Sequence, residues 1–100
     1  MASIIKKHLL KFGYDTAGTK EVTLVLTDGA EVVSVGEQDG NIYLWECHNE
    51  QLTVQSLVLD LLIVGTGVPF TLPKGKRKKF LGTVMTSHMY DWHVYRLDEF

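Results

Sequence analysis

The dipeptide Asp39-Gly40 separates two runs rich in strand-forming side chains, residues 31–35 and 42–47, and it constrains the fold more than any other feature of the chain. A two-residue type I′ turn needs φ > 0 at both central positions. Glycine adopts that conformation freely because it has no Cβ, and aspartate tolerates it. The flanking runs carry Val32, Val33, Val35, Ile42, Tyr43 and Trp45, β-branched and aromatic residues that suit a pleated surface. A β-hairpin is therefore predicted here, and it anchors an all-β reading of the whole chain.

The surrounding sequence agrees with that reading. Residues 4–12 have strand-like content, and residues 13–20 are rich in turn formers. In 21–26 the alternation is clean, with Val22, Leu24 and Leu26 on one face and Glu21 and Thr23 on the other, the period of a strand with one buried side. Thr27-Asp28-Gly29-Ala30 is a second Asp-Gly turn. Together with the first it predicts a three-stranded meander. Residues 53–64 carry apolar side chains on both parities: Leu57, Leu59, Leu61 and Ile63 on one, Val54, Val58, Leu62 and Val64 on the other. Such a segment is a central strand covered on both sides or a short buried helix; the β character of every neighbour favours the strand. Residues 65–79 form a long connection with both prolines and three glycines, and 80–87 and 92–97 read as a last hairpin around 88–91. The fold class predicted is all-β, a small antiparallel barrel or sandwich of about seven strands joined by tight turns.

One hundred residues make one domain, 1–100, burying roughly 65% of its unfolded surface. With 45% hydrophobic and 22% charged residues, disorder throughout is excluded. Cys47 is the sole cysteine, so no intramolecular disulfide forms, which favours a reducing compartment or indifference to redox. Lys6, Lys7 and His8 interrupt the apolar N-terminal stretch, and Asp60 interrupts 57–64, far short of the ~20 residues of a membrane helix. These features predict a soluble intracellular protein.

The order of motifs resembles a family of short, mostly bacteriophage-encoded proteins with no assigned function. The resemblance is carried by Asp-Gly-Ala-Glu-Val-Val-Ser-Val at 28–35, Ile-Tyr-Leu-Trp at 42–45, Val-Gly-Thr-Gly-Val-Pro at 64–69, Phe-Leu-Gly-Thr-Val at 80–84 and Trp-His-Val-Tyr at 92–95. It implies a phage origin and a compact, mostly β domain, and it carries over no catalytic residue; the expected location is the host cytoplasm. The chain departs from that pattern at Val68, where the family often carries His, and in the longer basic insert 74–79.

That insert is the sharpest candidate for function. Lys74, Lys76, Arg77, Lys78 and Lys79 are five of the ten cationic side chains; the rest of the chain holds five basic against twelve acidic groups, a net of −7. A basic loop on an acidic domain attracts an anionic protein partner or phosphate, and it also serves as a solvated gatekeeper beside an apolar strand. Nucleic-acid binding, where it occurs, is expected to be weak and sequence-blind, because Phe70 and Phe80 flank the basic stretch without entering it. Tyr43 and Trp45 share a face opposite Ile42 and Leu44; one face is core, which leaves the other as an apolar patch for a partner or a second copy.

The remaining constellations favour structural roles. Gly65-Thr66-Gly67 is followed by Pro69 rather than by a helix or a Lys-Ser/Thr pair, so tight backbone geometry explains it better than a phosphate cradle. Cys47 and His48 point to opposite faces of a strand, while His88, His93 and Asp91 lack the usual spacing of metal ligands. Ser34, Ser56 and Ser87 sit in no nucleophile elbow, and Asp60 alone among the carboxylates has an apolar context. The expectation is a non-enzyme without cofactor or metal: an accessory protein that binds a host macromolecule, as an inhibitor or counter-defence factor. The alternatives are a minor virion or assembly protein that self-associates, and a nucleic-acid-binding module using the basic loop.

Overall fold

The computed structural model describes residues 2–14, 18–86 and 90–100. Seven strands are present among them: β1 (Ser3–Lys11), β2 (Thr19–Thr27), β3 (Glu31–Gln38), β4 (Asn41–Asn49), β5 (Gln55–Gly65), β6 (Lys76–Met85) and β7 (Asp91–Glu99). Every pairing is antiparallel. The strands form two sheets, one ordered β1-β4-β3 and the other β2-β5-β7-β6. The sheets are not closed into a barrel; the fold is a β-sandwich.

The β3–β4 hairpin forms at Asp39-Gly40, with φ of 52° and 83° at the two residues, the pair of positive angles a type I′ turn demands. The second Asp-Gly turn behaves differently, and the predicted meander of β2, β3 and β4 is corrected. Gly29 has φ of 72°, but Asp28 does not share it. Ala30 N–H closes the turn on Thr27 C=O at 3.0 Å, and Asp28 N–H donates to Val54 C=O at 2.7 Å. The turn is thus a corner that carries the chain from one sheet to the other. β2 pairs with β5, matching Val22 to Leu61 and Leu24 to Leu59. A positive φ at the second central residue alone is that of a type II turn, which splays the flanking strands where type I′ matches their twist, and the dipeptide alone does not distinguish the two.

Between the sheets lies a core that includes Leu26, Ile42, Leu44, Leu59, Leu61 and Val94. Burying each of these aliphatic side chains contributes about 1.5–3 kcal/mol. A second, smaller cluster lies on the opposite face of β5, where Leu62, Val64 and Leu97 are covered by Val68, Leu72 and Tyr95. The double-sided apolar pattern of β5 follows directly. The strand sits between β2 and β7, with one face turned to the other sheet and one roofed by the connection that follows it. No helix occurs among the described residues.

The connection expected over 65–79 is shorter than predicted. Lys76, Arg77, Lys78 and Lys79 open β6, the outermost strand of its sheet, and Lys74 remains in the turn before it. Pairing with β7 draws them in: Lys76 stands opposite Glu99 and Arg77 opposite Asp98. Cross-strand pairs of opposite charge favour that register.

Candidate functional site

The basic residues lie on a strand, so their side chains alternate between its two faces. Lys76 and Lys78 share the face roofed by the 66–75 connection. Lys76 Nζ reaches Glu99 Oε1 at 2.5 Å and lies 3.7 Å from Asp60 Oδ2. Lys78 Nζ lies over the rings of Tyr95 and Phe70, 5.2 and 5.6 Å from their centroids. Phe80 packs against Tyr95 at 5.5 Å between centroids and remains 54% exposed. Arg77 and Lys79 occupy the other parity, where Lys79 stands opposite Arg96. Arg96 is bonded to Asp98 at 2.8 Å. Among the described residues Lys74, Arg77 and Lys79 make no ion pair.

Tyr43 and Trp45 lie elsewhere. In β4 the residues Ile42, Leu44 and Glu46 are buried, while Tyr43, Trp45 and Cys47 form the half-buried outer face of the three-stranded sheet. Trp45 packs over the backbone of Gly36, where an added Cβ would stand 3.3 Å from the ring. Lys7 Nζ lies 4.5 Å from the Tyr43 ring centroid. Leu9 and Ile5 pair with Tyr43 and Cys47 across β1, and Ile5 is 56% exposed. The aromatic and basic halves of the predicted partner site therefore belong to different sheets and form two surfaces.

Asp60 lines a small hollow of about 160 Å³ with Glu21, Thr23, Pro73, Lys76 and Leu97. Its carboxylate accepts from Thr23 Oγ1 at 2.9 Å. The lining contains no histidine and no thiol. Lys76, held by its hydrogen bond to Glu99, titrates above its ordinary value; the charges of Glu99 and Asp60 add to that, while partial burial opposes it.

At the end of β5, Gly67 has φ of 81° and Val68 N–H closes a turn on Gly65 C=O at 3.1 Å. Gly65 N–H donates to Gly18 C=O and Thr66 N–H to Asp91 C=O. Three N–H groups of the segment are thereby engaged within the chain, which leaves no cradle for an anion. His93 is held between two hydroxyls, Nε2 at 2.7 Å from Thr66 Oγ1 and Nδ1 at 3.0 Å from Thr83 Oγ1. His88 lies outside the described residues.

The sequence reading missed one polar constellation. Glu46 is fully buried between the sheets, its Oε1 at 2.5 Å from His8 Nε2 and its Oε2 accepting from Thr27 N–H at 3.3 Å. His48 Nδ1, 3.6 Å from Oε2, is buried without a hydrogen-bond partner. Strand parity carried the signal, because Glu46 shares the face of Ile42 and Leu44. A separation of 2.5 Å between His8 and Glu46 is a hydrogen bond, with no space for an ion between the two atoms. Among the described residues no group of three or more His, Cys, Asp or Glu is placed to hold a metal ion. The trio ties β1 and β4 to the end of β2.

The fold and its surfaces define a small antiparallel β-sandwich with a cationic edge strand and a separate aromatic face. The chain belongs to the family described as "Domain of unknown function (DUF7352)", whose match spans residues 1–100. No curated protein and no solved structure matches it. Among the described residues no helix is long and apolar enough to cross a membrane.

Proposed function

We propose that the chain is a phage-encoded, non-enzymatic accessory protein of the host cytoplasm that acts by binding an acidic host protein, as an inhibitor or counter-defence factor. The carrying observation is the exposed run Arg77, Lys78 and Lys79 on the outermost strand of an otherwise acidic domain. Like charges crowded on one edge are relieved by an anionic partner, which also speeds encounter. Support for a binding role over a catalytic one comes from the titratable groups. Glu46 is buried and bonded to His8, His93 is held between threonines, and Asp60 accepts from Thr23 and lies 3.7 Å from Lys76. The phage assignment rests on the motif order at 28–35, 42–45 and 64–69.

The test is affinity capture from host lysate with the wild-type chain and with a variant whose five basic residues at 74–79 are replaced by Ser or Gln. Wild type is expected to retain an acidic protein that the variant loses. Equal capture by both chains would overturn the assignment to β6. A second reading, self-association as an assembly protein, draws on the exposed apolar side chains Ile5 and Leu9 beside Tyr43 and Trp45. Sedimentation separates the two, since only the second predicts a dimer or ring that Ile5→Lys dissolves.

A further inference from the structure

The irregularity between Phe80 and Gly82 divides β6 into two unlike halves. The second half is packed against the other sheet: a Cβ built at Gly82 would stand 2.8 Å from Val35 Cγ2. In the first half Arg77, Lys78, Lys79 and Phe80 are all exposed, and among the described residues no strand pairs with β6 on its outer side. Lys76 N–H donates to Pro73 C=O at 3.1 Å in the preceding turn; beyond it that half presents a short open edge whose outward backbone N–H and C=O groups are available for pairing.

Lysines on an edge strand ordinarily discourage sheet-to-sheet association, and one or two charges suffice for that purpose. Here the cationic run is longer than gatekeeping needs, and it carries a structural cost. Lys79 stands directly opposite Arg96 on β7, a like-charge pair that disfavours the native register. Arg77 and Lys79 have no anionic partner within ion-pair distance among the described residues. The edge thus combines open backbone with positive charge that is offset only by Asp98, which stands opposite Arg77 and is bonded to Arg96.

We propose that residues 76–80 of β6 take up an extended acidic segment of the partner protein as a fifth strand of the sheet. The inference rests on the acidic-protein reading above and adds the mode of recognition. Main-chain hydrogen bonds supply the attachment and side chains the selectivity, as in other cases of strand addition. Lys78 on one face and Arg77 and Lys79 on the other mean that the added strand meets positive charge on both of its sides. The fitting segment is accordingly an unbroken acidic run, rather than one in which acidic and apolar residues alternate. Beyond it, exposed Phe80 favours an apolar residue at one end of the run. Single-stranded nucleic acid fits the same charges less well. Its backbone has no N–H groups to pair with the edge, and Lys78 already covers the Phe70 and Tyr95 rings on which bases would stack.

The experiment uses the full chain and three probes: a capped peptide of about eight residues built from a Glu/Asp run ending in Leu, the same peptide N-methylated through the run, and an oligothymidylate of similar length. Binding is followed by amide chemical shifts and by hydrogen exchange. The peptide is expected to shift the amides of 76–80 and slow exchange there by at least about tenfold, and N-methylation to weaken binding by a similar factor. Equal binding of the methylated peptide would overturn strand addition while leaving the acidic-partner reading in place. Failure of both peptides to bind at millimolar concentration would overturn the two together. Tighter binding of the oligonucleotide would overturn the partner class. The double variant Arg77→Glu/Lys79→Glu, with core amide shifts unchanged as proof of folding, is expected to lose the peptide; retention would count against the site.

Discussion

His8 Nε2 lies 2.5 Å from Oε1 of Glu46, a carboxylate fully buried between the two sheets. The contact crosses from β1 to β4, and the other carboxylate oxygen continues to Thr27 N–H at the end of β2. One side chain thus ties three strands from both sheets at the point where the chain changes sheet. Glu46→Ala would leave the Thr27 N–H and the His8 ring facing apolar surroundings, and removing one partner from such a buried network costs about 3 kcal/mol. Glu46→Gln keeps an acceptor for Thr27 and is expected to cost about 1 kcal/mol. Urea unfolding midpoints for the two variants check the order; equal losses would show that the hydrogen bonds do not matter.

Gly82 faces Val35 at the seam between β6 and β3. A Cβ there would approach Val35 Cγ2 to 2.8 Å, and a valine methyl has little freedom to retreat because χ1 is stiff. Gly82→Ala is expected to destabilise by about 1–3 kcal/mol through overpacking. Shortening the opposing side chain tests the cause: in the double variant Gly82→Ala/Val35→Ala the cost at 82 should shrink. Strict additivity in thermal unfolding would place the strain elsewhere.

Much of this architecture was legible where local chemistry decides the outcome. Asp39-Gly40 dictates its turn through φ alone, and the double parity of Leu61 and Leu62 announces a strand buried on two sides. The sheet change at Asp28-Gly29 was not legible, because it depends on β2 meeting β5, a partner distant in sequence, as in the pairing of Leu24 with Leu59. Charge density and two nearby prolines disguised 76–79 as loop, although Glu99 and Asp98 wait opposite on β7. Tyr43 and Trp45 were assigned to one face correctly, yet no local pattern states that this face belongs to a different sheet from the basic residues. Glu46 shows the converse: its parity was readable, and only the polarity of the residue concealed its burial.

Leu62 provides a test of the second apolar cluster. It lies on the face of β5 turned away from the other sheet, where an ordinary sandwich strand would carry polar side chains. Roofed by Val68 and Leu72, it is 1% exposed. Leu62→Ala should therefore cost as much as Leu61→Ala in the main core, about 2–5 kcal/mol each. Equilibrium denaturation of the two variants decides the matter. A loss below about 1 kcal/mol for Leu62→Ala would mean that the 66–75 connection is a loose cover rather than part of the packed structure.

The Lys76–Glu99 contact carries a pH dependence whose sign follows from the direction of the shift. The hydrogen bond to Glu99 lifts the Lys76 ammonium above its ordinary value of 10.5. A raised folded value means the pair contributes its stability fully below the unfolded value and loses it as pH rises through the folded one. The window therefore opens near pH 10.5 and extends upward, and near neutrality the contribution is constant. Because the pair is at the surface, salt weakens it. Side-chain NMR titration of Lys76 should show a midpoint above 10.5, and Glu99→Gln should lower it. Asp60→Asn is expected to act in the same direction with a smaller effect, since Asp60 lies 3.7 Å away against 2.5 Å for Glu99. A larger shift from Asp60→Asn would reassign the controlling partner of Lys76 to the hollow beside β2.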